Sequence, residues 1–204
     1  GEAFSSDGHE LIAIPPGTYT FTEEIQLDEC GLRVGQSCTG AAPYGVTIQP
    51  LSGTVTFTTT AQWVFNIVSG NNVLRDLHFS ECDNPVRISE PAVTGYSGGN
   101  LVTACRFTNA SVEPDIQLDI KAPDTVATGN WFSWSGSGNP VGRAIAVNTH
   151  PGVVVTMNAV SGNFETGVSV IAAPDARLDQ NTVYVGAGDA IELRTATGLC
   201  ARGN

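Results

Sequence analysis

The sequence lacks the features that mark membrane-spanning, nucleic-acid-binding and helical proteins. No apolar run approaches the roughly 18 residues that a membrane helix needs. Basic residues are scarce: nine stand against twenty acidic residues, and Lys121 is the only lysine. The formal net charge of −11 disfavours nucleic acid or a membrane as a partner. We find no convincing helical pattern and no glycine-rich phosphate loop, so we expect an all-β protein without a cofactor.

Cysteines are few, and their spacing does not match a zinc site. Cys30 and Cys38 flank a glycine-containing segment, where a local disulfide and two free thiols are equally favoured. A bond between Cys82 and Cys105 depends on the strand register and stays open. Because the count of five is odd, one cysteine has no disulfide partner within the chain, and we assign this thiol to Cys200.

One tripeptide, Asn-Ala-Ser at 109–111, fits an N-glycosylation acceptor, although such tripeptides often occur by chance. A glycosylation site and a disulfide would both belong to an oxidising, secreted environment. Together they favour an extracellular or cell-surface location.

The C-terminal stretch, residues 144–204, repeats one unit three times. Each copy contains two short alternating runs joined by a turn, and each ends at an asparagine: Asn158, Asn181 and Asn204. Both steps between these asparagines are 23 residues. A fixed period in this range is the signature of a repeat architecture, and alternation with period two indicates strands. The unit is therefore interpreted as one coil of a β-solenoid.

Equivalent apolar positions extend the repeat toward the N terminus. They are occupied by Phe79, Phe107, Phe132, Val160 and Val183, at steps of 28, 25, 28 and 23 residues. Insertions in one loop of a 23-residue coil explain the longer steps, because insertions in solenoids map to loops on one side.

The asparagines at the coil corners also predict a ladder, which begins at Asn130. Asparagine tolerates the left-handed conformation that a sharp corner needs, and stacked side-chain amides can bond from coil to coil. Leu77 and Cys105 occupy the same corner earlier in the chain. We therefore expect the ladder only in the C-terminal half.

Three groups of residues carry a resemblance to a known family. They are the opening Ile-Pro-Pro-Gly-Thr-Tyr at 14–19, the stretch Asn-Val-Leu-Arg-Asp-Leu-His-Phe at 72–79, and the corners at 129–132, 158–160 and 181–183. The pattern resembles the right-handed parallel β-helix of the pectin-lyase-like superfamily, over most of residues 10–204. The resemblance implies a single domain over residues 1–204. It implies little about activity, because the fold hosts lyases, hydrolases, esterases, adhesins and viral spikes.

Proteins of that superfamily usually carry a cap at each end of the helix. This chain stops within a coil at Asn204 and shows no amphipathic helix at its start. We therefore expect a fragment of a longer chain, or other chains or further coils that cover the open ends.

In proteins that look like this, the outward face of the first sheet often forms a substrate groove. The strands expected in it are 85–90, 115–120, 144–149, 167–172 and 190–195. By alternation, one outward column comprises Arg87, Gln117, Ala146, Ser169 and Glu192. The next comprises Ser89, Asp119, Asn148, Ile171 and Arg194. Lys121 and His150 would be neighbours at the strand ends.

These columns suggest a polysaccharide lyase, which needs a base and a cation beside a uronate carboxylate. Lys121 or His150 is the candidate base, and Arg87 or Arg194 is the candidate electrophilic partner. The candidate substrate-binding residues are Gln117, Asp119, Asn148, Glu192 and Trp134.

Several observations oppose this hypothesis. No carboxylate cluster suits calcium, so we expect no metal. Asp119 and Glu192 are separated by several coils, too far apart for a two-carboxylate hydrolase. The net charge repels a polyanionic substrate. We therefore favour a secreted or cell-surface β-helix with a structural or adhesive role that includes contact with polysaccharide. The alternative is a lyase acting on a uronate-containing polymer.

Overall fold

The computed structural model describes residues 9–28, 31–34, 45–89 and 98–204. Within these ranges the chain forms 23 β-strands and no helix. The described residues accordingly contain no helix of the length and apolarity needed to cross a membrane.

The strands are numbered in chain order. The first ten are β1 (His9–Ile14), β2 (Gly17–Phe21), β3 (Ile25–Asp28), β4 (Gly31–Val34), β5 (Gly45–Pro50), β6 (Val55–Thr59), β7 (Trp63–Ile67), β8 (Val73–Arg75), β9 (His78–Ser80) and β10 (Asn84–Ile88). The next eight are β11 (Leu101–Thr103), β12 (Arg106–Asn109), β13 (Ile116–Ile120), β14 (Val126–Thr128), β15 (Trp131–Trp134), β16 (Arg143–Asn148), β17 (Val154–Thr156) and β18 (Ala159–Gly162). The last five are β19 (Thr166–Ile171), β20 (Arg177–Asp179), β21 (Thr182–Val185), β22 (Asp189–Arg194) and β23 (Cys200–Arg202).

Three long sheets run along the molecule, and each coil contributes one strand to each sheet. The first sheet has the order β22-β19-β16-β13-β10-β7-β3-β4. The second has the order β1-β5-β8-β11-β14-β17-β20-β23, and the third has the order β2-β6-β9-β12-β15-β18-β21. Neighbouring strands are parallel except β3 and β4, which form an antiparallel pair. Residues 29–30 and 35–44, on either side of β4, lie outside the described residues.

The predicted β-solenoid is confirmed, with about six turns and coils of about 26 residues. The 23-residue step holds in the last coils, where Asn158 bonds to Asn181 across 23 residues. The preceding coil is longer, since Asn130 bonds to Asn158 across 28 residues.

The core lies between the three sheets and is filled by stacked inward side chains. The ring centroids of Phe79 and Phe107 are 4.9 Å apart, and those of Phe107 and Phe132 are 4.5 Å apart. Val160 pairs with Phe132, and Val183 pairs with Val160. The predicted column of equivalent positions is therefore confirmed. Aligned rings add about 0.5–1.5 kcal/mol per pair beyond their burial.

The predicted asparagine ladder is also confirmed, at the corner between the second and third sheets. The Oδ1 atom of Asn158 accepts bonds from the backbone N and the Nδ2 of Asn130, both at 3.0 Å. Its own Nδ2 donates to Asn181 Oδ1 at 3.0 Å. The left-handed residue is the one before each asparagine, such as Met157 (φ 54°) or Gln180 (φ 54°). The prediction that the asparagines themselves adopt the left-handed conformation was therefore wrong. The residue before each asparagine makes the sharp turn, and the asparagine side chain lies inside the corner.

A second, shorter ladder lies at the corner between the first and second sheets, and the sequence did not reveal it. The backbone N and Nδ2 of Asn72 donate to Asn100 Oδ1, at 3.0 and 3.1 Å. Asn72 Oδ1 accepts the backbone N of Val46 at 3.1 Å. Buried polar groups need such partners, so these amides fix how three coils stack.

The structure resolves part of the cysteine question. Cys82 and Cys105 are buried free thiols, so the bond left open between them does not form. Burial raises the pKa of each to about 12. Cys200 is also free and is partly buried. Cys30 and Cys38 lie outside the described residues.

Candidate functional site

The candidate site is the outward face of the first sheet. Its strands place Arg87 beside Asp119, and Asp119 beside Ala146. The column continues through Ser169 to Glu192.

The prediction of Gln117 in this column was wrong, because the register of β13 is shifted by two residues. Asp119 takes the predicted place of Gln117. The shift arises because the connection from β10 to β13 is long: Asn84 Oδ1 accepts the backbone N of Ile116 across 32 residues. Neighbouring strands that are aligned by their first residues are therefore given the wrong register where the connection between them is this long.

The same shift changes the neighbours of Lys121. Ile120 pairs with Val147, so Lys121 is level with Asn148, whereas His150 lies two residues further along its coil. The predicted juxtaposition of Lys121 and His150 was therefore wrong. His150 is partly buried in the turn after β16.

Asp119 is a buried carboxylate at the centre of a charge cluster whose two cations are partly exposed. Its side chain is only 1% exposed, and Lys121 Nζ lies 2.7 Å from its Oδ2. Arg87 Nε lies 3.9 Å from the same oxygen, and Asn148 Nδ2 donates to Oδ1 at 3.1 Å. Neither cation forms a hydrogen bond with Oδ2, so both act on it as ion pairs. A buried carboxylate is stable only with such partners.

Arg87 has a second partner that fixes its position. Its guanidinium carbon lies over the ring of Trp63, 5.5 Å from the centroid. The arginine is therefore held between an aromatic face and the carboxylate of Asp119.

A second cluster surrounds Glu192 at the far end of the same column. Ser169 Oγ donates to Glu192 Oε2 at 3.0 Å, and Arg194 forms an ion pair with the same carboxylate. The hydrogen bond from Ser169 is the main reason that the pKa of Glu192 is lowered, and Arg194 adds to it. Arg194 thus neutralises Glu192 and lies several strands away from Arg87.

Asp119 and Glu192 are three strands apart in this column. At about 4.8 Å per strand their separation is roughly 14 Å. This exceeds the distance that paired carboxylates need in glycoside hydrolysis, as the sequence predicted.

Like Asp119, two other predicted substrate-binding residues are inaccessible. Gln117 is fully buried, and neither polar atom of its amide has a hydrogen-bond partner in the described part of the chain. Trp134 is 4% exposed and is the last residue of β15. The exposed tryptophan is Trp131, and the guanidinium carbon of Arg106 lies 5.4 Å from its ring centroid.

The tripeptide at 109–111 does not present an accessible acceptor. Asn109 is buried, and its Nδ2 donates to Cys82 O at 2.6 Å and to Val112 O at 2.9 Å. The nitrogen that glycosylation would modify is therefore occupied inside the fold.

No group of three or more potential metal ligands occurs among the described residues. The fold and the site together define a β-solenoid whose first sheet carries a polar outward face with internally paired charges. Comparison with protein-family models, curated proteins and solved structures gave no match to this chain.

Proposed function

We propose that this chain is a non-catalytic, extracellular or cell-surface β-solenoid with a structural or adhesive role that includes contact with polysaccharide. The observation that carries the proposal is the mutual pairing of the charges on the first-sheet face. Lys121 and Arg87 pair with Asp119, and Arg194 pairs with Glu192.

Such pairing opposes lyase chemistry. A lyase base must be free to take a proton from the substrate, and its cation must meet the developing negative charge. Lys121 is held by Asp119, and drawing it away would remove the nearer of the two cations from a buried carboxylate.

We also infer membership of the pectin-lyase-like superfamily. The support is the combination of three parallel sheets with an asparagine ladder at the corner between the second and third sheets. The proposed partners are polysaccharide, and further coils or other chains stacked on the solenoid.

The experiment is a retention assay on insoluble polysaccharides, coupled to an assay for cleavage products. We expect retention without release of unsaturated uronate ends or new reducing ends. Failure to bind any polysaccharide would remove the adhesive role, and release of unsaturated ends would remove the non-catalytic one.

A polysaccharide lyase is the second candidate, because Lys121 and Arg87 are two partly exposed cations that lie close together on the first-sheet face. This alternative predicts uronate cleavage that Lys121→Ala abolishes. Lys121→Arg keeps the positive charge and serves as the matched control, since a guanidinium cannot act as a base. Equal activity in the wild type and in Lys121→Ala would exclude Lys121 as the base.

A further inference from the structure

The third sheet carries two large aromatic side chains on its outward face. The side chain of Trp131 is 42% exposed and that of Tyr184 is 73% exposed. Scattered exposed apolar residues need no explanation, but two aromatic rings on one flat face are an arrangement that recognition sites use.

The register places small residues between these two rings. Trp131 pairs with Ala159, and Ser161 pairs with Tyr184. The inward neighbours Phe132, Val160 and Val183 show that all four of these residues point outward. Trp131 and Tyr184 are two strands apart, which is roughly 10 Å along the solenoid.

Arg106 fixes the ring of Trp131. Its guanidinium covers one ring face from the strand on one side, β12. The opposite face is therefore turned toward the strand on the other side, β18, where Ala159 leaves space above the sheet. A ring held by a cation loses little conformational entropy when a ligand stacks on it.

Hydroxyl groups surround this space. Ser133 and Ser161 lie in the column of Tyr184, and Thr182 follows Ala159 in the column of Trp131. The face thus combines aromatic rings, a low floor and side chains that both donate and accept hydrogen bonds. Pyranose rings match this combination, since they present a C–H face bordered by hydroxyl groups.

We propose that Trp131, Ala159, Ser161 and Tyr184 form a binding platform for neutral glycans, hereafter the aromatic platform. The net charge of −11 selects a neutral ligand over a polyanionic one. This inference rests on the proposed adhesive function and names the face and the ligand class that serve it. The platform lies on the third sheet and is distinct from the first-sheet face considered for lyase chemistry.

The test is titration of the protein with neutral β-1,4-linked hexasaccharides of glucose, mannose and N-acetylglucosamine, and with hexagalacturonate as the charged probe. Binding is followed by calorimetry and by tryptophan fluorescence. Trp63 and Trp134 are buried, so a change in emission reports mainly on Trp131. We expect at least one neutral hexasaccharide to bind and to shift the emission.

Three variants examine the platform. Trp131→Ala and Tyr184→Ala should each weaken binding about tenfold or more, as expected for aromatic anchors. Ala159→Glu should abolish binding by filling the floor, and Ala159 is exposed, so folding should survive. Leu51→Ala is the matched control, because it removes an exposed apolar side chain far along the chain and should change nothing.

Each other outcome overturns the inference. It fails if no neutral hexasaccharide binds, if only hexagalacturonate binds, or if the platform variants bind like the wild type. Retention on insoluble polysaccharide that persists in Trp131→Ala would leave the adhesive function standing and remove this site. If the wild-type protein is not retained on any insoluble polysaccharide, the proposed adhesive function itself is wrong.

Discussion

At the scale of single residues, Glu81 holds the turn of the next coil. Its carboxylate accepts the backbone N–H groups of Ala110, Ser111 and Val112, each at 2.9 Å. Partial burial raises the pKa of Glu81, but the three backbone bonds outweigh it, so the pKa is lowered overall. The folded state therefore favours the ionised carboxylate.

Glu81→Gln should destabilise the protein at neutral pH by about 1 kcal/mol, because the neutral amide accepts these bonds less strongly. A lowered folded-state pKa gives stability that is present above the unfolded pKa and is lost as pH falls through the folded pKa. The difference between variant and wild type should accordingly shrink in acid. Urea unfolding at several pH values measures it, with Glu113→Gln, an exposed glutamate nearby in the chain, as control. A difference independent of pH would contradict the prediction.

Gly142 shows a different residue-scale constraint. Its φ is +64°, and an added Cβ would lie 1.8 Å from the backbone oxygen of Pro114. Gly142→Ala should therefore cost roughly 3 kcal/mol or more, through both backbone strain and the clash. Gly129 has nearly the same φ, +65°, and the atom nearest its added Cβ, the backbone N of Ala104, is 4.0 Å away, so Gly129→Ala isolates the strain alone. Thermal unfolding should show the larger loss for Gly142→Ala, and equal losses would refute the clash.

At the scale of elements, the asparagine ladder links successive coils through paired amides. Asn158→Ala would leave the backbone N of Asn130 and the carbonyl of Ala127 without their side-chain partner. We expect a loss of about 2–4 kcal/mol, since each stranded buried group costs about 1–3 kcal/mol. Asn163→Ala is the control, because the hydrogen bond from its side chain to Gly138 O is exposed. Chemical denaturation that showed equal losses for both variants would contradict a role for the ladder.

The sequence predicted those elements in which residue type repeats at a constant position. The asparagines at 158, 181 and 204 and the phenylalanines at 79, 107 and 132 reveal the coil because each occupies one fixed place in it. The register of β13 was not predictable, since its connection to β10 is longer than the repeat and no marker lies between Phe107 and the start of β13. The Asn72–Asn100 ladder was missed because two members do not define a period.

The candidate site was predicted in part. Alternation placed Arg87, Ser169 and Glu192 correctly on the outward face, because one strand fixes its own alternation. Alternation misplaced Gln117 relative to Arg87, because the register between neighbouring strands depends on the lengths of the loops that connect them. Alternation from the inward Phe132 places Trp131 outward, whereas the burial of Trp134 depends on how far β15 extends.

At the scale of the whole molecule, the outward faces of the first and third sheets differ in chemistry, although both sheets enclose the same core. The first carries paired charges, and the third carries hydroxyl groups and aromatic rings. A chain with charge −11 repels itself when compact, and salt screens that repulsion. Buried pairs such as Lys121–Asp119 are screened much less.

The melting temperature should therefore rise by a few degrees as sodium chloride increases from low to physiological concentration. Calorimetry at fixed pH measures this shift, with a non-ionic osmolyte of equal osmolality as the control. A fall in melting temperature with salt would mean that exposed pairs such as Arg75–Asp76 outweigh the net repulsion.

The buried thiols of Cys82 and Cys105 can report local opening of the solenoid. Only a thiolate reacts quickly with an alkylating reagent, and burial raises the pKa of both thiols to about 12. Each cysteine therefore reacts only when its coil separates from its neighbours, whereas the partly buried Cys200 provides a faster reference. Mass spectrometry of the labelled chain would measure the local opening rates at Cys82 and Cys105 without any introduced probe.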